Sequence, residues 1–145
     1  MWKQIQVFFA ELGVTPVAKP RLEIAAIALL IEVARADNHH TREERQAIAQ
    51  AATEVFGVQE PVRTMLIEEA ARAVEESISL FDFTRVLNEG LDRDAKYRLL
   101  ECLWQVAYAD GNLDTYEEYY LRKIGELLHL SHRDLIRAKL AMAPG

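Results

Sequence analysis

Apolar positions recur at three- and four-residue spacing along most of this chain. Trp2, Ile5, Phe9 and Leu12 open it, and Gly13 closes the run. That spacing predicts an amphipathic first helix. Thr15 to Pro20 holds two prolines and reads as a linker. Pro20 suits the first turn of a helix from Arg21 to Ala36. This segment is apolar nearly all round, through Leu22, Ile24, Ala25, Ile27, Leu29, Leu30, Ile31 and Val33. A helix with so little polar face is buried on most sides. Arg93 to Ala109 has the same character, with Leu99, Leu100, Leu103, Trp104, Val106 and Tyr108. These two helices are predicted to form the centre of the fold. Small residues at Ala25, Ala26, Ala34 and Ala36 would let a neighbour approach closely.

Start and stop signals place the other elements. Thr41-Arg-Glu-Glu44 has the form of a capping box and starts a helix to Phe56, which Gly57 ends. Pro61 opens another to Glu76, with Val62, Met65, Leu66, Ala70 and Val74 on its apolar face. Ser79 or Asp82 starts a short helix through Val86 and Leu87 that ends near Gly90. Asp92 can cap the central helix that follows. Asp114-Thr-Tyr-Glu117 repeats the cap pattern and opens a helix to Leu128. Ser131 to Asp134 caps the last, with Leu135, Ala138 and Leu140. No segment alternates with a strand period. The expectation is an all-α, single-domain bundle of about eight helices. Residues 1–20 form an N-terminal amphipathic helix and linker, and 21–142 the helical domain.

The chain also repeats itself. Adding 73 to the numbers from Val33 to Glu44 gives Val106 to Glu117 without a gap. Val33 pairs with Val106, Ala34 with Ala107, Ala36 with Ala109, Asp37 with Asp110 and Glu44 with Glu117. An Ala-x-Ala-Asp followed seven residues later by Glu is present twice. Such self-similarity predicts an internal pseudo-two-fold duplication of a helix–turn–helix unit. Two copies are too few for a solenoid.

Composition narrows the function. The 145 residues are 50% hydrophobic and 28% charged, as suits one soluble domain with a single sizeable core. A net charge of -6 argues against nucleic-acid binding, which needs a basic face for the phosphates. No apolar stretch is long and charge-free enough to span a bilayer. The N-terminus has no signal-like pattern, so a cytoplasmic location is expected. The single cysteine, Cys102, lies in an apolar run and reads as a buried structural thiol.

The second copy's turn carries the clearest chemistry. Asp110, Asn112, Asp114 and Glu117 gather oxygen donors at one turn and the start of a helix. Hard divalent cations, such as calcium, magnesium or manganese, take donors of this kind. Asp110, Asp114, Glu117 and Glu118 put four negative charges in nine positions, with no cation in sequence before Arg122. The spacing resembles the opening of an EF-hand loop but departs from it. Thr115 stands where that loop needs Gly, and Leu121 where it needs Glu. Asp37 and Glu44 are the equivalents in the first copy. Helix capping alone accounts for Thr41, Glu44, Asp114 and Glu117. It accounts less well for Asp37 and Asp110, because an acid at a helix C-terminus faces the negative end of the dipole. That misfit points to a cation.

Ala34-Arg-Ala-Asp37 with Glu44, and Ala107-Tyr-Ala-Asp-Gly-Asn-Leu-Asp114 with Glu117, resemble the tellurite-resistance protein TerB family. Phe83-Thr-Arg-Val-Leu-Asn88, followed by Leu100-Glu-Cys-Leu-Trp104, is similar to stand-alone TerB-like proteins. The likeness runs from about Arg21 to Leu140. It implies an all-helical, internally symmetric fold and acidic positions that hold divalent cations. It also implies a role in tellurite resistance or wider stress response. The first copy departs from the family pattern: Asn38 replaces Gly, and His39 and His40 enter the turn.

Other chemistry finds less support. His39 and His40 are adjacent, and neighbouring residues rarely point at one ion, so a solvated turn is expected. His129 and His132 flank a helix junction and read as local. The chain has no Gly-rich phosphate loop, no Gly-x-Ser-x-Gly elbow and no His-Glu-x-x-His. A hydrolase using the acidic cluster and a metal therefore has no motif behind it. The expected function is a divalent-cation-binding module that acts through protein interaction or sensing. Asp110 and Glu117 would be its main ligands. The alternative is a metal-free helical scaffold whose acidic or Trp2–Phe9 surface binds a protein partner. Trp2, Ile5 and Phe9 could also join copies into a homo-oligomer.

Overall fold

The computed structural model describes residues 21–35, 42–76, 79–109 and 115–143. Among them the chain forms seven α-helices and no strand. These are α1 (Arg21–Arg35), α2 (Arg42–Phe56), α3 (Val62–Glu76), α4 (Phe81–Gly90), α5 (Arg93–Tyr108), α6 (Thr115–Leu127) and α7 (His132–Met142). The helix expected over Trp2 to Leu12, with its Trp2, Ile5 and Phe9 stripe, lies outside the described residues.

The apolar character of α1 has its reason in the packing. It touches α2, α3, α4, α5 and α6, most extensively α3. Every residue from Ile24 to Ile31 is buried, as are Val33 and Ala34. Ala26 and Ala28 are fully covered, so neighbouring helices reach the α1 backbone. In α5, Leu99, Leu100, Leu103, Trp104 and Val106 are buried, and this helix packs chiefly on α7 and also on α1 and α2. Each such Leu contributes roughly 1.5–3 kcal/mol by leaving water.

Local signals set most boundaries. Asp92 caps α5, accepting a hydrogen bond from the Ala95 N–H at 2.8 Å. Ser131 caps α7, accepting from the Asp134 N–H at 3.0 Å. Gly57 ends α2 with φ 69°, a left-handed conformation that glycine adopts without strain. Thr53 ties the following turn. Its hydroxyl donates to the Val58 carbonyl at 2.8 Å and accepts from Arg63 at 3.0 Å.

Two helix starts differ from what the sequence predicts. Pro61 precedes α3 instead of opening it, and its carbonyl accepts from the Met65 N–H at 3.3 Å. Neither Ser79 nor Asp82 is the N-cap of α4. That position belongs to Leu80, with no side-chain cap, while the Ser79 hydroxyl accepts from the Phe81 N–H at 3.1 Å. α4 ends at Gly90, as expected, and the φ of Gly90 is not positive. Its value there is space: a Cβ would collide with the Leu22 methyl groups of α1.

Candidate functional site

The two acidic segments of the sequence fall between described helices at matching sequence positions. α1 ends at Arg35 and α2 begins at Arg42; α5 ends at Tyr108 and α6 begins at Thr115. Both pairs keep the offset of 73 seen in the sequence. Burial follows it too. Val33 and Val106, Ala34 and Ala107, Ile48 and Leu121, and Ala51 and Ile124 are all buried.

Glu44 and Glu117 are the informative pair. Each is the third residue of its helix, and they are 0% and 1% exposed. A first-turn glutamate that merely favours the helix dipole has no need of burial. Ionised side chains are rarely fully buried unless they are paired or coordinate a metal. Asp37, Asp110, Asn112 and Asp114 lie outside the described residues, as do His39 and His40. Among the described residues, no three of His, Cys, Asp and Glu form a group able to hold a metal ion.

The charge around the second turn is less one-sided than the sequence implies. In sequence no cation stands between Asp110 and Arg122 to offset Glu118. In the fold Lys139 of α7 donates to its Oε1 at 2.9 Å, and Arg122 stands 3.9 Å away. The same Lys139 ammonium lies 5.6 Å from the centre of the buried Trp104 ring. Twenty-one positions separate Glu118 from Lys139, and no local pattern announces the pair.

The remaining chemistry-bearing residues sort clearly. Burial pushes the Cys102 thiol up to about 11, so little thiolate exists at neutral pH and the residue is structural, as expected. His129 holds φ 62° at the end of α6. Its N–H donates to the Glu126 carbonyl, and the Leu130 N–H to the Gly125 carbonyl, each at 3.0 Å. That is a Schellman closure with histidine in the place glycine usually takes. Asp134, 6% exposed, accepts from Arg93 at 3.0 Å and has Arg137 at 3.6 Å. Arg137 also donates to the Tyr97 hydroxyl at 3.1 Å, with its guanidinium 4.2 Å from that ring's centre.

One cavity has no signature in the sequence. Glu32 of α1 lines a cleft of about 180 Å³ with Val74, Ser79, Leu80, Phe83, Tyr120 and Lys123. Burial raises the Glu32 carboxyl above its ordinary value, and Arg35 partly opposes this. Glu32 is the one acid in an otherwise apolar run, which was its only signal in the sequence.

No described helix is long and apolar enough to cross a membrane. A family model described as tellurite resistance protein TerB matches residues 23–140. No curated protein and no solved structure gives a significant match.

Proposed function

This chain belongs to the tellurite resistance protein TerB family, and we propose that it is a divalent-cation-binding helical module serving tellurite resistance or a wider stress response. Its output would be sensing or protein interaction. The observation that carries the reading is the burial of Glu44 and Glu117 at matching places, each just after an acidic turn. The donor set suits a hard cation: carboxylates from Asp110, Asp114 and Glu117 and the amide oxygen of Asn112. Asp37 and Glu44 would serve the first copy, which has fewer acidic donors. Calcium, magnesium and manganese are the candidate ions. The two helix–turn–helix units would then form a pseudo-two-fold pair. A structure of the cation-loaded protein with Asp37 and Asp110 in non-equivalent places would overturn that pairing. Calorimetric titration of chelator-treated protein with each ion tests the binding itself. Saturable heat that is lost in Asp110→Asn supports it, and absence of heat with all three ions refutes it.

A second reading is a metal-free scaffold for a protein partner. It draws on the exposed rings of Tyr116 and Tyr119 on α6, at 65% and 61% exposure. The pairing of Glu118 with Lys139 also supports it, because it removes part of the charge a cation would relieve. A partner captured equally well with and without chelator would favour this reading.

A further inference from the structure

Among the described residues, the lining of the Glu32 cleft includes neither Glu44 nor Glu117. Helices α1, α3, α4 and α6 all reach it, through Glu32, Val74, Phe83 and the pair Tyr120 and Lys123. Ser79 and Leu80, just before α4, complete it. Two kinds of lining are present. Val74, Leu80 and Phe83 are buried apolar side chains. Glu32 and Lys123 contribute opposite charges, and among the ion pairs of the described residues none joins them. Both therefore face the cleft without cancelling each other at contact.

Burying part of a carboxylate on a helix that is otherwise core costs stability, and an apolar residue of similar volume would pack there at lower cost. A partly desolvated carboxylate in a cleft is a mark of a binding site. The size narrows the ligand. Pockets for drug-sized molecules run to roughly 300–1,000 Å³, so 180 Å³ holds something smaller. The ligand should carry a cationic donor for Glu32, an anionic group for Lys123, and a short apolar body for the Val74, Leu80 and Phe83 wall.

We propose that this cleft binds a small zwitterion of the amino-acid class, its ammonium on Glu32 and its carboxylate on Lys123. The inference is independent of cation binding at the acidic turns. The test is a nuclear magnetic resonance titration of the full chain, in the presence of chelator, with leucine, valine, methionine and phenylalanine as probes. At least one probe should shift the Val74, Leu80 and Phe83 amide signals saturably at millimolar concentration. Its N-acetyl and its amide derivatives, which each lack one charge, should bind at least about tenfold more weakly. Glu32→Gln and Lys123→Met should weaken the free amino acid by a similar factor. Lys123 is exposed, so its variant keeps the test valid even if Glu32→Gln alters the fold. No saturable shift with any probe would overturn the proposal, as would unchanged affinity in Lys123→Met or for the N-acetyl derivative.

Discussion

Glu44 and Glu117 hold the same place in two helices, third from the start and buried, 73 positions apart. If the turn beside Glu117 holds a cation, the cation stabilises the fold. An ion that binds only the folded state adds about 2.7 kcal/mol at a hundredfold excess over Kd. Millimolar calcium, magnesium or manganese should therefore raise the melting temperature at matched ionic strength. Asp110→Asn should abolish the rise without lowering the metal-free melting point. Asp37→Asn should reduce it less, because the first copy has fewer acidic donors. Thermal melts that no ion shifts in the wild type, or that shift equally in Asp110→Asn, would leave the second turn as a helix cap only.

The Asp92 cap of α5 sets the start of the second central helix. Its carboxylate takes the Ala95 N–H, one of the donors with no partner inside the helix. Asp92→Ala should cost about 1 kcal/mol, and Asp92→Asn should keep most of that. Urea denaturation midpoints distinguish the two. Equal midpoints for wild type and Asp92→Ala would show that the bond contributes nothing net.

His129 carries a left-handed backbone, which costs a residue with a Cβ roughly 1–2 kcal/mol. Glycine adopts it freely but loses more entropy on folding. His129→Gly should stabilise the protein by about 0.5–1 kcal/mol, and His129→Val should destabilise it. Chemical denaturation of both variants checks the pair. The reverse order would mean that the imidazole makes a compensating interaction.

Asp134 gives a pH dependence with a definite sign. The hydrogen bond from Arg93 is the largest cause that lowers its carboxyl below the ordinary 3.8; burial opposes it, and Ser131 adds to the lowering. A carboxyl lowered in the folded state contributes stability above its unfolded value and loses it as pH falls through the folded one. Asp134→Asn should thus cost about 0.5–1 kcal/mol at neutral pH, because solvent screens the exposed Arg93 and Arg137 partners. The gap to wild type should narrow progressively below pH 3.8. Denaturation midpoints across that range measure it. A gap that stays constant with pH would mean that packing, not charge, is lost.

The helices were legible because their signals are local. The apolar run from Leu22 to Val33, the caps at Asp92 and Ser131 and the stop at Gly57 each act within a turn or two. The all-round apolar face of α1 also implied its central place, since no exposed helix tolerates it. The repeat of Ala-x-Ala-Asp and Glu is equally plain, and with it the matched sequence positions of Glu44 and Glu117. The sequence could not reveal that both glutamates are buried, because a capping acid and a buried acid look alike in a string of letters.

Tertiary structure alone decided which distant charges meet. Lys139 comes from another helix to neutralise Glu118, and Arg93 crosses from α5 to Asp134. Gly90 reads as a helix stop, yet its missing Cβ matters because Leu22 arrives from a helix 68 positions earlier. The Glu32 cleft exists only where four helices leave space between them. Helix propensity and capping depend on neighbours within a few residues, so the sequence determines them directly. Ion pairs and cavities depend on how whole helices are set against one another, and that arrangement is fixed by the packing of the core.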